Sequence, residues 1–299
     1  FMDIPETTHQ VEENLSVMMP SSELGSELEE KLSNVNKTSL MIAYERSLEE
    51  QRENPLFSDP FAAALAGTAG VTFSEGMAAN AAMFGFPEWP DFHRTWTGVR
   101  TAFIDQFLIK QTASNTSDSF QLLNLGAGMD SRTYRLECLK NSGTKVWEID
   151  LPAVNEIKEE VLAKLNIEPL CEQHIIGIDL ATDDMPEKLK EAGVDSNLPV
   201  HWLLEGIIMY LPLPRQHDLL KEIAEFSASG STALINFAEV QFEGHRDKCM
   251  TAALLTPKFE ENGWEVTIHR FGEPTLNFGR YPEDQEPTTM FSFAVCRKL

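Results

Sequence analysis

The stretch Gln121–Asp150, "QLLNLGAGMDSRTYRLECLKNSGTKVWEID", decides the fold. It opens on a short apolar run, "QLLNL" (121–125), turns through Gly126 and Gly128, and closes on a second run, "KVWEI" (145–149). Short apolar runs bounded by glycine and polar residues read as strands buried on both faces. The segment near 130–140 is expected to be helical, so the unit is strand–turn–helix–strand.

The same alternation continues downstream. Candidate strands are "HIIGI" (174–178), "VHWLL" (200–204), "TALINF" (232–237), "EVTIH" (265–269) and "FSFAVC" (291–296). Helices are expected near 153–165, 185–192, 214–228 and 247–262, the last with Gly263 just beyond its end. Strands alternating with helices predict a mostly parallel sheet covered on both faces. No helical pattern separates the last two strands, so these are expected to pair antiparallel. The fold class is α/β, a Rossmann-like sheet of seven strands.

Upstream the pattern is helical. In "KTSLMIAYERSLEEQREN" the apolar Leu40, Met41, Tyr44 and Leu48 recur at helical spacing, and Pro55 marks the end. A second helix is expected after "SDP", with Asp59 as cap and Pro60 in the first turn. The Gly/Ala/Met-rich stretch 67–86 carries no clear pattern, and "GVRTAFIDQFLIKQT" (98–112) is helical again, with Val99, Phe103 and Phe107 on one side. Residues 1–36 are polar and acidic and read as an extension or lid. The expected organisation is one domain over 37–299, with a helical cap (37–119) and a Rossmann-like core (120–299).

The charge narrows the partners. The 299 residues hold 47 acidic and 24 basic side chains, a formal net charge of −23. Such a surface repels phosphate backbones and anionic lipid, so neither nucleic acid nor a membrane is expected as a partner. Cys138, Cys171, Cys249 and Cys296 are far apart, without metal-ligand spacing, so neither a metal site nor a disulfide framework is expected. No apolar run reaches a membrane span, and no basic-then-apolar leader is seen. A cytoplasmic location is the expectation.

In open α/β sheets ligands sit outside the carboxyl ends of the strands. The first strand runs into Gly126-Ala127-Gly128, a tight turn followed by free helix N–H groups. As a dinucleotide fingerprint it is defective, because Ser131 stands where G-x-G-x-x-G needs its third glycine. The turn is equally explained by geometry alone. The second strand ends in Asp150, 22 residues beyond Gly128. That carboxylate can take both hydroxyls of a ribose, or it can cap the next helix, which has Pro152 in its first turn. Asp179 follows the third strand, where a carboxylate can accept an exocyclic amine, and Leu180 beside it offers an N–H and an apolar face. Glu205 follows the fourth. Each alone could be a solvated loop acid. Three in succession beside a glycine turn form a set.

The loop "NLGAGMDSRTYRL" (124–136) resembles the signature of the leucine carboxyl methyltransferase family. "WEIDLPAV" (147–154), "GIDL" (177–180) and "EGIIMYLP" (205–212) match the same family, and "KTSLMIAYERSLEEQRENPLFSDPFA" (37–62) resembles its bacterial, polyketide-type branch. The resemblance implies a class I methyltransferase sheet and S-adenosyl-L-methionine as cofactor. It implies that Arg100 holds the cofactor carboxylate, Gly126 approaches the methionyl part, and Asp150 binds the ribose. It further implies that Asp179 and Leu180 frame the adenine and that Glu205 lines the methyl-donor pocket. Lys37 is a softer match to a basic residue near the start of the first helix. Tyr210 becomes a candidate for the substrate side.

Methyl transfer from a sulfonium to oxygen is an in-line displacement that needs chiefly alignment and a dry site. An ionised carboxylate acceptor needs no general base, whereas a hydroxyl does. No residue stands out as that base: His201 lies on a core strand, and His217 and His245 are unranked. An acidic small molecule is therefore the favoured acceptor, with Arg246, after the fifth strand, as the cation to receive it. Two other classes remain to be weighed. A nicotinamide oxidoreductase predicts a glycine at 131 and a separate catalytic domain. A non-catalytic binding module predicts loss of some cofactor residues.

Overall fold

The computed structural model describes residues 34–83, 85–141, 143–239 and 250–299. They form two compact units. Of the described residues, one unit comprises 34–98 with Gly128–Ser131 and Glu156–Ile167; the other comprises Val99–Ala127, Arg132–Asn155 and those of 168–299.

The second unit contains a seven-stranded sheet. Its strands are β1 (Phe120–Leu125), β2 (Thr144–Asp150), β3 (Glu172–Gly177), β4 (Val200–Leu204), β5 (Thr232–Phe237), β6 (Trp264–Phe271) and β7 (Thr288–Lys298). The order is β3-β2-β1-β4-β5-β7-β6. The first five are parallel, and β7 runs antiparallel to both β5 and β6. This is the expected layout, each strand lying within a few residues of its sequence reading. β1, β4 and β5 are buried at every position, as continuous apolar runs in a two-sided sheet must be. Trp147, Trp202, Phe237, Phe259 and Phe293 fill the space around them and are almost wholly enclosed.

The first unit is helical. Its helices are α1 (Asn34–Glu50), α2 (Ala62–Met83), the start of α3 (Trp89–Ser114) and the greater part of a later helix, Pro152–Leu165. Most of the 67–86 stretch belongs to α2, which is interrupted at Gly67 (φ 57°, ψ −172°). Asp59, expected as a cap, instead receives the Arg46 guanidinium at 2.7 Å in a buried ion pair, and the helix starts later. Inside the unit Glu45 is buried, accepts a hydrogen bond from Thr97 and lies 2.9 Å from His93 Nδ1. The extension expected over 1–36 falls, as far as residue 33, outside the described residues. Among the described residues no helix is long and apolar enough to cross a membrane.

Two further expectations need correction. The helix expected near 130–140 is only a four-residue helix, α4 (Arg132–Arg135), followed by a 3-10 turn at Glu137–Lys140. Leu136 between them is extended (φ −90°, ψ 98°) and ends the helix. The helix expected over 247–262 is seen from Ala252 to Glu260, and residues 240–249 lie outside the described set.

Candidate functional site

Strand register fixes where the strand-end residues stand. Leu125 is level with Ile149 on β2 and Leu204 on β4, and Asp150 is level with Gly177 on β3. Gly126, Asp150, the Asp179–Leu180 step and Glu205 therefore share one sheet edge. β1 has β2 on one side and β4 on the other, so the strand order reverses there. That is the topological switch point, where ligands of open α/β sheets bind.

Gly126 has φ +69°, and a Cβ there would lie 2.7 Å from the Cβ of Ile207. Its N–H and that of Ala127 both donate to the Ile149 carbonyl, at 2.8 and 3.1 Å. Glycine at 126 thus lets the loop after β1 close against the loop after β4.

Asp150 precedes the helix α5 (Pro152–Leu165) without being its cap. The Leu151 carbonyl takes the first bonds of α5, from Val154 and Asn155, so the cap is one residue later. The Asp150 carboxylate accepts the Leu151 N–H at 2.7 Å, and its own carbonyl accepts from Ile178 N–H. Asn155 Nδ2 reaches the carbonyls of both Asp150 and Ile176, tying the ends of β2 and β3 together.

Asp179 is half-buried in a turn closed by its Oδ1, which accepts the Ala181 N–H at 2.9 Å. Leu180 is buried, and its carbonyl is held by Arg215 Nε at 2.6 Å. Arg215 is itself gripped by Glu222.

The fourth corner contains a charged network. Arg100, on α3, places Nε 2.9 Å from Glu205 Oε1, but the N–H is not aligned for a hydrogen bond, so the contact is Coulombic. Glu205 Oε2 accepts a true hydrogen bond from Arg132 Nη1 at 2.7 Å. Arg132 Nε also donates to Asp105 Oδ1 at 2.7 Å, and Arg135 holds both oxygens of Asp105, at 2.7 and 3.0 Å. The sequence reading does not single out Asp105, Arg132 or Arg135. The available signal is the i, i+3 spacing of the two arginines in "SRTYRL", which puts them on one side of a helical turn.

Other expected residues are more dispersed. Tyr210 sits in the 3-10 turn Ile208–Tyr210 and is exposed. Arg246 and His245 lie outside the described residues. Lys37 belongs to the first unit, where it lines an open cavity of about 210 Å³ with Ala69, Phe73 and Met77. His201 is structural, as its place on β4 suggested. It stacks on Phe120 at 4.2 Å and bonds Thr232 Oγ1 through Nδ1, and burial pushes its pKa down to about 4.

Comparison with known proteins gives this arrangement a class. The family model described as leucine carboxyl methyltransferase matches residues 39–224. A Mycobacteroides abscessus protein assigned as an S-adenosyl-L-methionine-dependent methyltransferase is 36% identical over 283 residues, covering 86% of this chain and 90% of its own. One from Mycobacterium avium with the same assignment is 34% identical over 229 residues, 72% of this chain and 70% of its own. Among solved structures, a DUF574-family protein of Streptomyces avermitilis shares the fold with a TM-score of 0.56 and 15% identity, over 86% of this chain and 97% of that one. A protein assigned as a methyltransferase from Thermobifida fusca has a TM-score of 0.55 and 15% identity, over 79% and 91%. The chain belongs to the leucine carboxyl methyltransferase family. It is an S-adenosylmethionine-dependent methyltransferase, and the nicotinamide reading is set aside.

Proposed function

We propose that this protein methylates an oxygen of a small molecule, with a carboxylate as the favoured acceptor. The observation that carries the reading is the shared sheet edge: Gly126, Asp150, Asp179 and Glu205 end adjacent strands on both sides of the switch point, with Arg100 against Glu205. The donor set suits an adenosyl amino acid. Carboxylates at 150 and 179 are acceptors for hydroxyl and amino groups, and Leu180 gives an apolar wall. Arg100 is buried as a cation at this edge, paired with Glu205 at 2.9 Å without an aligned hydrogen bond.

S-adenosylmethionine, when bound, supplies a methyl group on a leaving sulfonium. The chain's own work is to bind, orient and exclude water. In this reading Asp150 accepts the ribose hydroxyls, Asp179 the adenine amine, and Arg100 the carboxylate, while Glu205 lines the donor pocket and Gly126 borders the methionyl part. Tyr210 and Arg246 are kept as candidates for the acceptor side. An acceptor that is already an anion asks no base of the protein. His201 does not offer one, being stacked and bonded inside the sheet. A cytoplasmic location belongs to the same proposal, in keeping with the free thiols of Cys138, Cys171 and Cys296.

The test has two stages. Calorimetric titration should give saturable binding of S-adenosylmethionine and S-adenosylhomocysteine, and none of NADH. Incubation with panels of acids and phenols should then release S-adenosylhomocysteine with acids, giving methyl esters that mild alkali cleaves. Protein indifferent to millimolar cofactor would sink the donor site. Alkali-stable ethers as the only products would sink the carboxylate acceptor.

A further inference from the structure

Glu205 cannot orient itself. The terminal torsion of a glutamate is broad, so a lone carboxylate beside Arg100 would present its oxygens in many ways. Here one oxygen is pinned: Arg132 Nη1 holds Oε2 at 2.7 Å, which leaves Oε1 facing Arg100 Nε at 2.9 Å. Arg132 is pinned in turn, because its Nε is spent on Asp105 Oδ1 at 2.7 Å. Arg135, one turn on, fixes Asp105 through both oxygens. Arg100 and Asp105 are carried by the same helix, so the contacts close a circuit from α3 through Glu205 and Arg132 back to α3. All the side chains are buried to nine-tenths or nearly so. In so enclosed a place a charge-assisted pair is geometrically demanding and costly to break.

We propose that Arg132 is a positioning residue of the donor site: gripping Glu205 with one nitrogen and Asp105 with another, it sets the carboxylate against which Arg100 is held. This rests on the reading of Arg100 and Glu205 as donor-site residues. Arg132 acts through Glu205, and Asp105 acts through Arg132. A carboxylate fixed by two buried guanidinium groups has little orientational freedom left to lose on binding.

A double-mutant cycle on cofactor affinity tests the chain of action, read by titration of S-adenosylmethionine into purified protein. Arg132→Met should weaken binding about tenfold or more, and Arg132→Lys, which restores the charge but lacks the forked donors, should recover part of that loss. With Glu205→Gln already present, adding Arg132→Met should cost less than about threefold, since the partner it acts through is gone. An equal loss in both backgrounds, or Arg132→Lys as poor as Arg132→Met, would overturn the proposal, because Arg132 would then act independently or only as structure. If Arg132→Met does not fold, Asp105→Asn decides instead, with a loss expected alone and a smaller one expected beside Glu205→Gln. Failure of the wild-type protein to bind is a different result, and it strikes the donor-site reading itself.

Discussion

Gly126 and Ile207 meet so closely that a methyl group on residue 126 would lie 2.7 Å from the Ile207 Cβ. The contact seals the loops leaving β1 and β4, and it occurs at φ +69°, where an L-residue is strained. Gly126→Ala should therefore cost about 2–5 kcal/mol, combining about 1–2 for the left-handed backbone with about 1–3 for overpacking. Gly193 separates the two effects, having φ +82° and nothing within 4 Å of the place a methyl group would take. Gly193→Ala should cost only the backbone share, about 1–2 kcal/mol. Urea unfolding of both variants checks the ordering, and equal losses would refute the role given to Ile207.

Asp150 separates binding from folding. Asparagine keeps an oxygen for the Leu151 N–H, the bond that orders the start of α5. It gives up the charge with which the proposed ribose contact is made. Asp150→Asn should leave the melting temperature close to that of wild type and weaken S-adenosylmethionine by about ten- to a hundredfold, the worth of a charge-assisted hydrogen bond. A variant that melts far lower yet binds normally once folded would assign Asp150 to the helix start alone.

His201 makes stability depend on pH. Burial holds its pKa at about 4, below the ordinary 6.5, so the folded state keeps the ring neutral while the unfolded chain takes up a proton. Its contribution is complete above about pH 6.5 and is lost as pH falls toward about 4. The full span is about 3 kcal/mol. Unfolding free energies at pH 7 and pH 5 should differ more for wild type than for His201→Asn. An unchanged difference would mean that the ring is already protonated in the fold.

The sheet is legible in the sequence because its strands are continuous apolar runs with polar breaks, and burial on both faces leaves that signature. The short helix after β1 is not. "SRTYRLECLK" stands where the unit calls for a helix, yet Leu136 turns extended and the chain enters a 3-10 turn. At the site, strand-end acids could be read from position, since the end of a strand is a place in the sequence. The circuit of Arg132, Asp105 and Glu205 could not. Its partners are 27 and 73 residues apart, and an ion pair between distant segments leaves no periodicity to find. The same limit hid the pairing of Arg46 with Asp59, which a local reading assigns to a helix cap.

The unplaced stretch 67–86 yields a further prediction, because its glycines conceal two different causes. At Gly70 an added Cβ would lie 2.6 Å from the Leu40 carbonyl oxygen, so the missing side chain lets α2 approach the backbone of α1. At Gly76 nothing lies within 4 Å. Alanine favours a helix over glycine by about 1 kcal/mol wherever space allows. Gly76→Ala should thus raise stability by up to about 1 kcal/mol. Gly70→Ala should lower it, since moving a backbone carbonyl costs about 1–3 kcal/mol and exceeds the gain in propensity. Thermal melts of the two variants should move in opposite directions. A shared direction would mean that α1 and α2 do not meet at residue 70.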